Sequence, residues 1–477
     1  MSKKEPWSTA QILKATGGKL LSGNPESVFS GISTDSRTIS GEELFIAIRG
    51  ENHDGHDFIT DAADRGRKGL IISDSKAGEQ ICKEWKNRGI VCIRVEDTVQ
   101  ALGALAAFRR KQTGVSVLAI TGSNGKTTTR LMTAAILSKY YHTLSTSGNF
   151  NNEIGLPLTL LRLEPGHEWA VVELGMNHPG EIGRLTAICL PDVGVITNIG
   201  PAHLEGLGSV DAVARAKGEL LAGMSSDTVA VLNADDPACM KLAARCTQEI
   251  ITFGLCEEAQ VRALDVKRKG MEISFILEIS PEMAEVCLHT PASFMVHDAL
   301  AAAAAAYGAG LSAKKIAPGL SDFRPAERRM NVFQTQRGIR IIDDTYNANP
   351  GSMKAALATL SDLKGKNRGI AVLGDMLELG KQSESLHKEI GMFCADAGID
   401  RLFLTGTRPE HTAAGAKERG MEQQNIFTGS REEIIGHLKE ILEPGDWVLI
   451  KGSRGMKMEI IPDTLRDWAD KNPGKGN

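Results

Sequence analysis

The octet Thr121-Gly122-Ser123-Asn124-Gly125-Lys126-Thr127-Thr128 has the residue types and order that grip a polyphosphate. It follows the apolar run Val115–Ile120 and opens a helical pattern carrying Leu131, Ala135 and Leu137, the context a phosphate loop requires. Glycines let the backbone bend and turn its N–H groups onto phosphate oxygens, and the helix N-terminus adds partial positive charge. Lys126 is placed to reach the β- and γ-phosphates of ATP, and the Thr127 hydroxyl to face Mg²⁺. Ile120 stands where the generic pattern has its first glycine, so the loop is a shorter variant. The competing reading is a glycine-rich turn with an exposed lysine.

Three further side chains could serve the same chemistry. Glu173 closes the apolar run Ala170–Val172, and ligands of open α/β sheets sit outside the carboxyl ends of strands, where an acid can hold a metal ion. A solvated strand-end glutamate is the alternative. His203 lies just beyond another apparent strand end, in Thr197-Asn198-Ile199-Gly200-Pro201-Ala202-His203, although a lone loop histidine is more often structural. Lys217 falls on the apolar stripe Val213, Leu220, Leu221 of a helix expected over Asp211–Met224. Desolvation there would favour the neutral amine, which can take up CO₂ as a carbamate and become a carboxylate-like metal ligand. Spacing alone favours the plainer reading, a lysine snorkelling to water.

The elements that must position these residues are legible as three α/β units. The first, residues 1–112, has strand-like runs at Leu44–Ile48, Gly69–Ile72 and Ile90–Val95, a polar loop at Gly50–Gly55, and a helix over Ala101–Arg110. The second, 113–322, repeats mostly apolar, non-alternating runs at Val115–Ile120, Ala170–Leu174, Val193–Ile199 and Val229–Leu232. Helical patterns separate them, as in a mostly parallel sheet covered on both faces. Val261–Leu288 alternates instead and reads as a small antiparallel addition; the alanine-rich Ala299–Ala306 reads as a helix. The third, 323–477, starts near Phe323 and places strands at Ile339–Ile342, Gly369–Leu373, Arg401–Leu404 and Trp447–Ile450, a second doubly wound arrangement. Its tail Lys471–Asn477 is polar and expected to fray.

Bulk properties exclude several classes. A formal charge of -4 over 477 residues leaves no basic excess to hold a nucleic-acid backbone. The eight cysteines contain no C-x-x-C pair, so neither a zinc knuckle nor a redox motif is indicated, and free thiols in a reducing compartment are expected. Met1–Gln11 carries no signal-peptide core, and Ala299–Ala306 is too short to span a bilayer, so a cytoplasmic monomer is the default expectation. A P-loop ATPase or switch that makes no bond stays open on these residues alone.

Taken together in order along the chain, the motifs resemble the ATP-dependent Mur ligases. The resemblance is carried by the loop Thr121–Thr128, Glu173 in Glu-Leu-Gly-Met-Asn, His203 in Asn-Ile-Gly-Pro-Ala-His-Leu-Glu and Lys217 in Ala-Lys-Gly-Glu-Leu. Asp343-Asp344-Thr345-Tyr346-Asn347-Ala348-Asn349-Pro350, Gly148–Pro157, Leu373-Gly374-Asp375-Met376-Leu377-Glu378-Leu379-Gly380, Ser33–Arg37 and Asp54-Gly55-His56 look like the branch that adds D-alanyl-D-alanine to UDP-N-acetylmuramoyl-tripeptide. The resemblance implies a small α/β N-terminal domain holding the uridine nucleotide, with Thr34, Asp35, Ser36 and Arg37 lining that pocket. A central P-loop-like domain would bind ATP through Gly122, Ser123, Asn124, Gly125, Lys126, Thr127 and Thr128. Two Mg²⁺ ions would be served by Thr127, Glu173 and His203, with carbamylated Lys217 in support. From the C-terminal Rossmann-like domain, Arg329 and Asp344 would meet the nucleotide, Asp344 at its ribose. Asn151, Asn152, Tyr346, Asn347, Asn349 and Lys451 would face the other substrates or the reacting phosphate. Arg328-Arg329 stands where the family commonly shows Gly-Arg, and the role is carried to Arg329. Where the family often has a His-Asn pair and then Asn-Ala-Leu-Ala, this chain has Phe294-Met295 and Asp298. That departure is expected to touch adenine contacts and to leave the phosphates alone.

Overall fold

The computed structural model describes residues 5–38, 42–50, 53–66, 68–74 and 85–471. The tail 472–477 expected to fray, Cys82, and residues 51 and 52 of the expected Gly50–Gly55 loop lie outside the described residues. Among the described residues three main sheets follow one another along the chain. The first has five strands in the order Lys19–Ser22, Val91–Val95, Gly69–Ser73, Glu43–Ile46, Gly31–Ser33, parallel except for the Lys19–Ser22 edge. The helix Thr98–Thr113, capped by Asp97 at one end and left-handed Gly114 at the other, leads out of it.

The central sheet has nine strands. Ser116–Thr121 lies between Trp169–Glu173 and Val193–Ile196, and the chain passes to opposite sides of it, which makes its carboxyl end the switch point of the sheet. Its residues Val117–Thr121 are almost wholly inaccessible, as the unbroken apolar run demands when helices cover both faces. The alternating stretch beyond Val261 forms Val261–Lys269, Glu272–Ile279 and Glu282–Leu288. The first runs parallel to Glu249–Gly254 and the other two antiparallel, so the addition extends the same sheet. The helix Met295–Gly308 is buried nearly all round, from Ala299 through Ala306. Methyl-sized side chains let it lie close against both the sheet and the helix Lys126–Leu137 that begins at the phosphate loop.

The third sheet runs Asn331–Gln334, Arg340–Asp344, Trp447–Lys451, Gly369–Leu373, Arg401–Leu404, Ile426–Thr428, parallel but for its first strand. Phe323, where the third unit was expected to start, caps the helix Ala313–Asp322 and belongs to the same hydrophobic core as Leu118 and Ile120 of the central sheet. The short strands Thr143–Ser145, Asn331–Gln334 and Ile426–Thr428 have no clear counterpart in the sequence pattern. They are three- or four-residue edge strands, half-exposed, and too brief to show a period. No helix among the described residues is long and apolar enough to cross a membrane.

Candidate active site

The phosphate loop is built by the strand end and by its neighbour. Gly122 has φ +153°, and a Cβ there would overlap the Thr197 hydroxyl, so only glycine fits. Asn198 accepts from the Asn124 N–H (2.9 Å) through its side chain and from the Ser123 N–H (2.9 Å) through its carbonyl. The Ser123 hydroxyl donates to the Gly200 carbonyl (3.0 Å). Segment 197–200 is therefore a mould that holds the loop open. Gly125, left-handed at φ +79°, starts the helix Lys126–Leu137. The Lys126 ammonium bends back onto the Gly122 carbonyl (2.8 Å), and burial holds its pKa below the ordinary lysine value. An incoming triphosphate has to replace that internal bond.

Glu173 and Thr127 meet as the sequence pattern requires. The Thr127 hydroxyl donates to Glu173 (2.8 Å), whose other oxygen accepts from the Asn151 amide (2.9 Å). Arg130 lies 3.5 Å from the same carboxylate and is almost fully buried. It was missed in the sequence, although its place one helical turn after Lys126 and Thr127, on the same face, was the available signal. Asn152 caps the helix Gly155–Leu160 by accepting from the Gly155 N–H (2.9 Å), yet still lines the cavity.

Lys217 overturns the snorkelling reading that spacing favoured. It is 1% exposed, and among the described residues no acceptor or carboxylate partners its ammonium. Burial pushes its pKa well below the ordinary lysine value, and the nearby Lys126 charge pushes the same way. Val213, Ala216, Leu220 and Leu221 are buried on the same side of its helix, so the stem lies within the core rather than along the surface. His203, in the left-handed region at φ +55°, pairs through Nδ1 with Glu378 of the third unit (2.7 Å). Among the described residues no three His, Cys, Asp or Glu side chains form a ready-made cation cage.

The third unit closes over these groups. Arg329 donates to the Thr127 hydroxyl (2.9 Å) and stacks on the Tyr346 ring at 4.0 Å. Arg328 turns the other way, to Glu459 and Asp463, which explains why only one of the pair can serve the site. Asn349 caps the helix Pro350–Lys364 and donates to the Asn124 side chain (2.7 Å), so it touches the phosphate loop directly. Asp344 and Lys451, opposite one another at parallel strand ends, form a buried ion pair; Asp344 also accepts from the Met330 N–H (3.1 Å) and Lys451 donates to the Asn347 carbonyl (2.9 Å). These groups, with Glu173, His203 and Tyr346, line one cavity of about 830 Å³.

One expectation needs correction. Asp298 is not remote from the phosphate loop. Its carboxyl abuts Gly125, where an added Cβ would overlap it, and burial raises its pKa to about 7 against the pull of Arg329. The sequence placed this position by helix register alone, which cannot show that the helix start is packed against the loop. Thr34, Asp35, Ser36 and Arg37 follow the strand Gly31–Ser33 in the first unit, apart from the large cavity, and Asp35 clamps Arg37 through two bonds of 2.9 Å.

With this geometry in hand, comparison with known proteins gives the class. The Mur ligase middle domain matches residues 120–306, the Mur ligase glutamate ligase domain matches 328–454, and the Mur ligase family catalytic domain matches 28–110. The chain belongs to the Mur ligase family. It is 35% identical to the UDP-N-acetylmuramoyl-tripeptide–D-alanyl-D-alanine ligase of Bacillus subtilis (strain 168), over 98% of this chain and 99% of that one. It is 34% identical to the enzyme of the same name from Escherichia coli (strain K12), over 91% and 93%. Among solved structures it is similar to MurF from Acinetobacter baumannii (TM-score 0.89, 32% identity, 98% and 100% covered). It is also similar to MurF ligase from Thermotoga maritima in complex with ADP (TM-score 0.80, 27% identity, 92% and 97% covered).

Proposed function

We propose that this chain is an ATP-dependent ligase that joins D-alanyl-D-alanine to UDP-N-acetylmuramoyl-tripeptide, giving the pentapeptide precursor of peptidoglycan with ADP and phosphate. The observation that carries the reading is the Arg329–Thr127–Glu173 chain of contacts, which brings the third unit onto the phosphate loop across one shared cavity. A bond-forming enzyme needs a second substrate beside the γ-phosphate, and this cavity is bounded by both units. Likeness to named ligases over nearly the whole chain supports the same substrates.

The reaction has two steps. The tripeptide carboxylate attacks the γ-phosphorus to form an acyl phosphate, and the dipeptide amine then attacks the acyl carbon, releasing phosphate. The protein supplies position and charge rather than covalent chemistry. Lys126 and Arg329 offset charge at the triphosphate, and Gly122–Thr128 hold it with backbone N–H groups. Asp344 and Lys451 fix the strand ends from which Tyr346, Asn347 and Asn349 face the incoming substrates. Thr127, Glu173, His203 and carbamylated Lys217 are the residues to hold Mg²⁺, which keeps much of its own water and phosphate shell and so needs no closed protein cage. The unpartnered, neutral-leaning amine of Lys217 fits CO₂ uptake, which forms an N–C bond and releases a proton. Bound Mg²⁺ would neutralise the phosphate oxygens and activate the γ-phosphorus. Rigid units 1–112, 113–322 and 323–477, with joints near 112–114 and 320–325, would keep water from the acyl phosphate by closing. A cytoplasmic monomer suits these soluble substrates.

The test is phosphate release from ATP with each candidate muramoyl carrier, with and without D-alanyl-D-alanine. Release that requires both the tripeptide carrier and the dipeptide supports the reading. Equal release without an acceptor amine would mark an ATPase instead.

A further inference from the structure

Glu378 comes from the Leu373–Gly380 motif, whose distinctive residues the reaction scheme leaves without a task. We propose that Glu378, carried by the third unit, is the positioning residue for His203, so that the divalent-cation site is complete only while that unit is docked on the central one.

The two units meet here through several bonds. His203 Nδ1 is 2.7 Å from Glu378 Oε2, and the Glu205 N–H donates to the Glu378 carbonyl (2.9 Å). The Gln382 amide donates to the Gly208 carbonyl (3.3 Å). A Cβ on Gly380 would stand 3.1 Å from the Glu205 Cα, a tight contact, and its φ of +54° also favours glycine. His203 and Glu378 both hold left-handed backbone, at φ +55° and +63°, a region that residues with side chains seldom adopt. The segment carrying Glu378 is anchored from behind: the Met376 N–H donates to His387 Nε2 (3.0 Å) and the Leu377 N–H to the Ser453 hydroxyl (2.8 Å). Glu378 therefore moves with the third unit and cannot follow His203 when that unit swings away.

The chemistry of the pair gives the contact a purpose. An imidazole that donates its Nδ1 proton to a carboxylate has a defined tautomer, with the Nε2 lone pair free for a cation. Metal-binding histidines are commonly oriented by such a partner. Here the partner lies on a different unit from the ligand and lines the same cavity. Docking thus does more than exclude water: it sets the ligand's orientation. The inference rests on the reading of His203 as a cation ligand.

The test measures Mn²⁺ affinity by electron paramagnetic resonance in the presence of a non-hydrolysable ATP analogue, so that turnover is not involved. Glu378→Ala should weaken binding about 10–100-fold. Glu378→Gln keeps an acceptor oxygen and should recover most of it. His203→Ala should lose at least as much as Glu378→Ala, and the double variant no more than His203→Ala alone, because one residue acts through the other. Wild-type affinity in Glu378→Ala would overturn the proposal, as would losses that multiply in the double variant. Wild-type affinity in His203→Ala would remove the cation-ligand reading and this proposal with it. The phosphate-release assay reports on the ligase reading independently of either result.

Discussion

Asp298→Asn should make the protein more stable at alkaline pH while leaving it unchanged in acid. The carboxyl sits almost fully buried against Gly125, and burial lifts its pKa from 3.8 to about 7. Below pH 3.8 the side chain is protonated whether the chain is folded or not, and it contributes nothing to pH dependence. Between that pH and about 7 the unfolded chain releases the proton while the folded chain keeps it, so stability falls as pH rises. Above 7 the whole penalty is present. At about 1.4 kcal/mol for each tenfold change in the proton equilibrium, the penalty is roughly 4 kcal/mol. Asparagine has nearly the same shape and no charge to bury, so it removes the penalty. For a unit of this size roughly 2–4 °C of melting temperature accompany each kcal/mol, giving a gap of roughly 8–16 °C at pH 8 that shrinks to nothing near pH 4. Thermal unfolding of both proteins across pH 4–8.5 measures it. A gap independent of pH, or a wild type that is the more stable protein at pH 8, would refute the reasoning.

Three further outcomes follow from the candidate site and its neighbours. Lys217→Ala should cut turnover by more than tenfold while the fold survives, with partial recovery when short carboxylic acids are added; full activity without them would remove the carbamate. Arg329→Ala should weaken nucleotide binding about tenfold or more, measured by calorimetry, since it loses a charged hydrogen bond to Thr127 and its stack on Tyr346. Arg328→Ala, whose partners Glu459 and Asp463 lie away from the cavity, should leave nucleotide affinity unchanged.

The parallel strands of the central and third sheets were legible because burial on both faces demands mostly apolar runs, and Val115–Ile120 or Gly369–Leu373, short and flanked by glycine, read as strands rather than helices. The phosphate loop was legible because its glycines and lysine fall within one short stretch, Gly122–Lys126, between a strand and a helix. What the sequence could not show were relations between distant segments. That Glu378 meets His203, that Asp298 touches Gly125, and that Asn349 reaches Asn124 each depend on how two elements are docked, and no local period encodes docking. Lys217 illustrates the limit from the other side. Its spacing allowed both a submerged and a surfaced side chain, and only the docking of its helix, which leaves Lys217 1% exposed, decided between them.

The alanine helix Met295–Gly308 has an evolutionary consequence. Alanine has no rotamers with which to absorb an added methylene, so any enlargement between Ala299 and Ala306 must shift the whole rod. Asp298, in the first turn of that rod, lies against Gly125 of the phosphate loop. Drift in this stretch would therefore damage ligand affinity from positions that never touch ligand. It could be accepted only alongside a matching loss of bulk in the facing helix or sheet, so that change here comes in pairs.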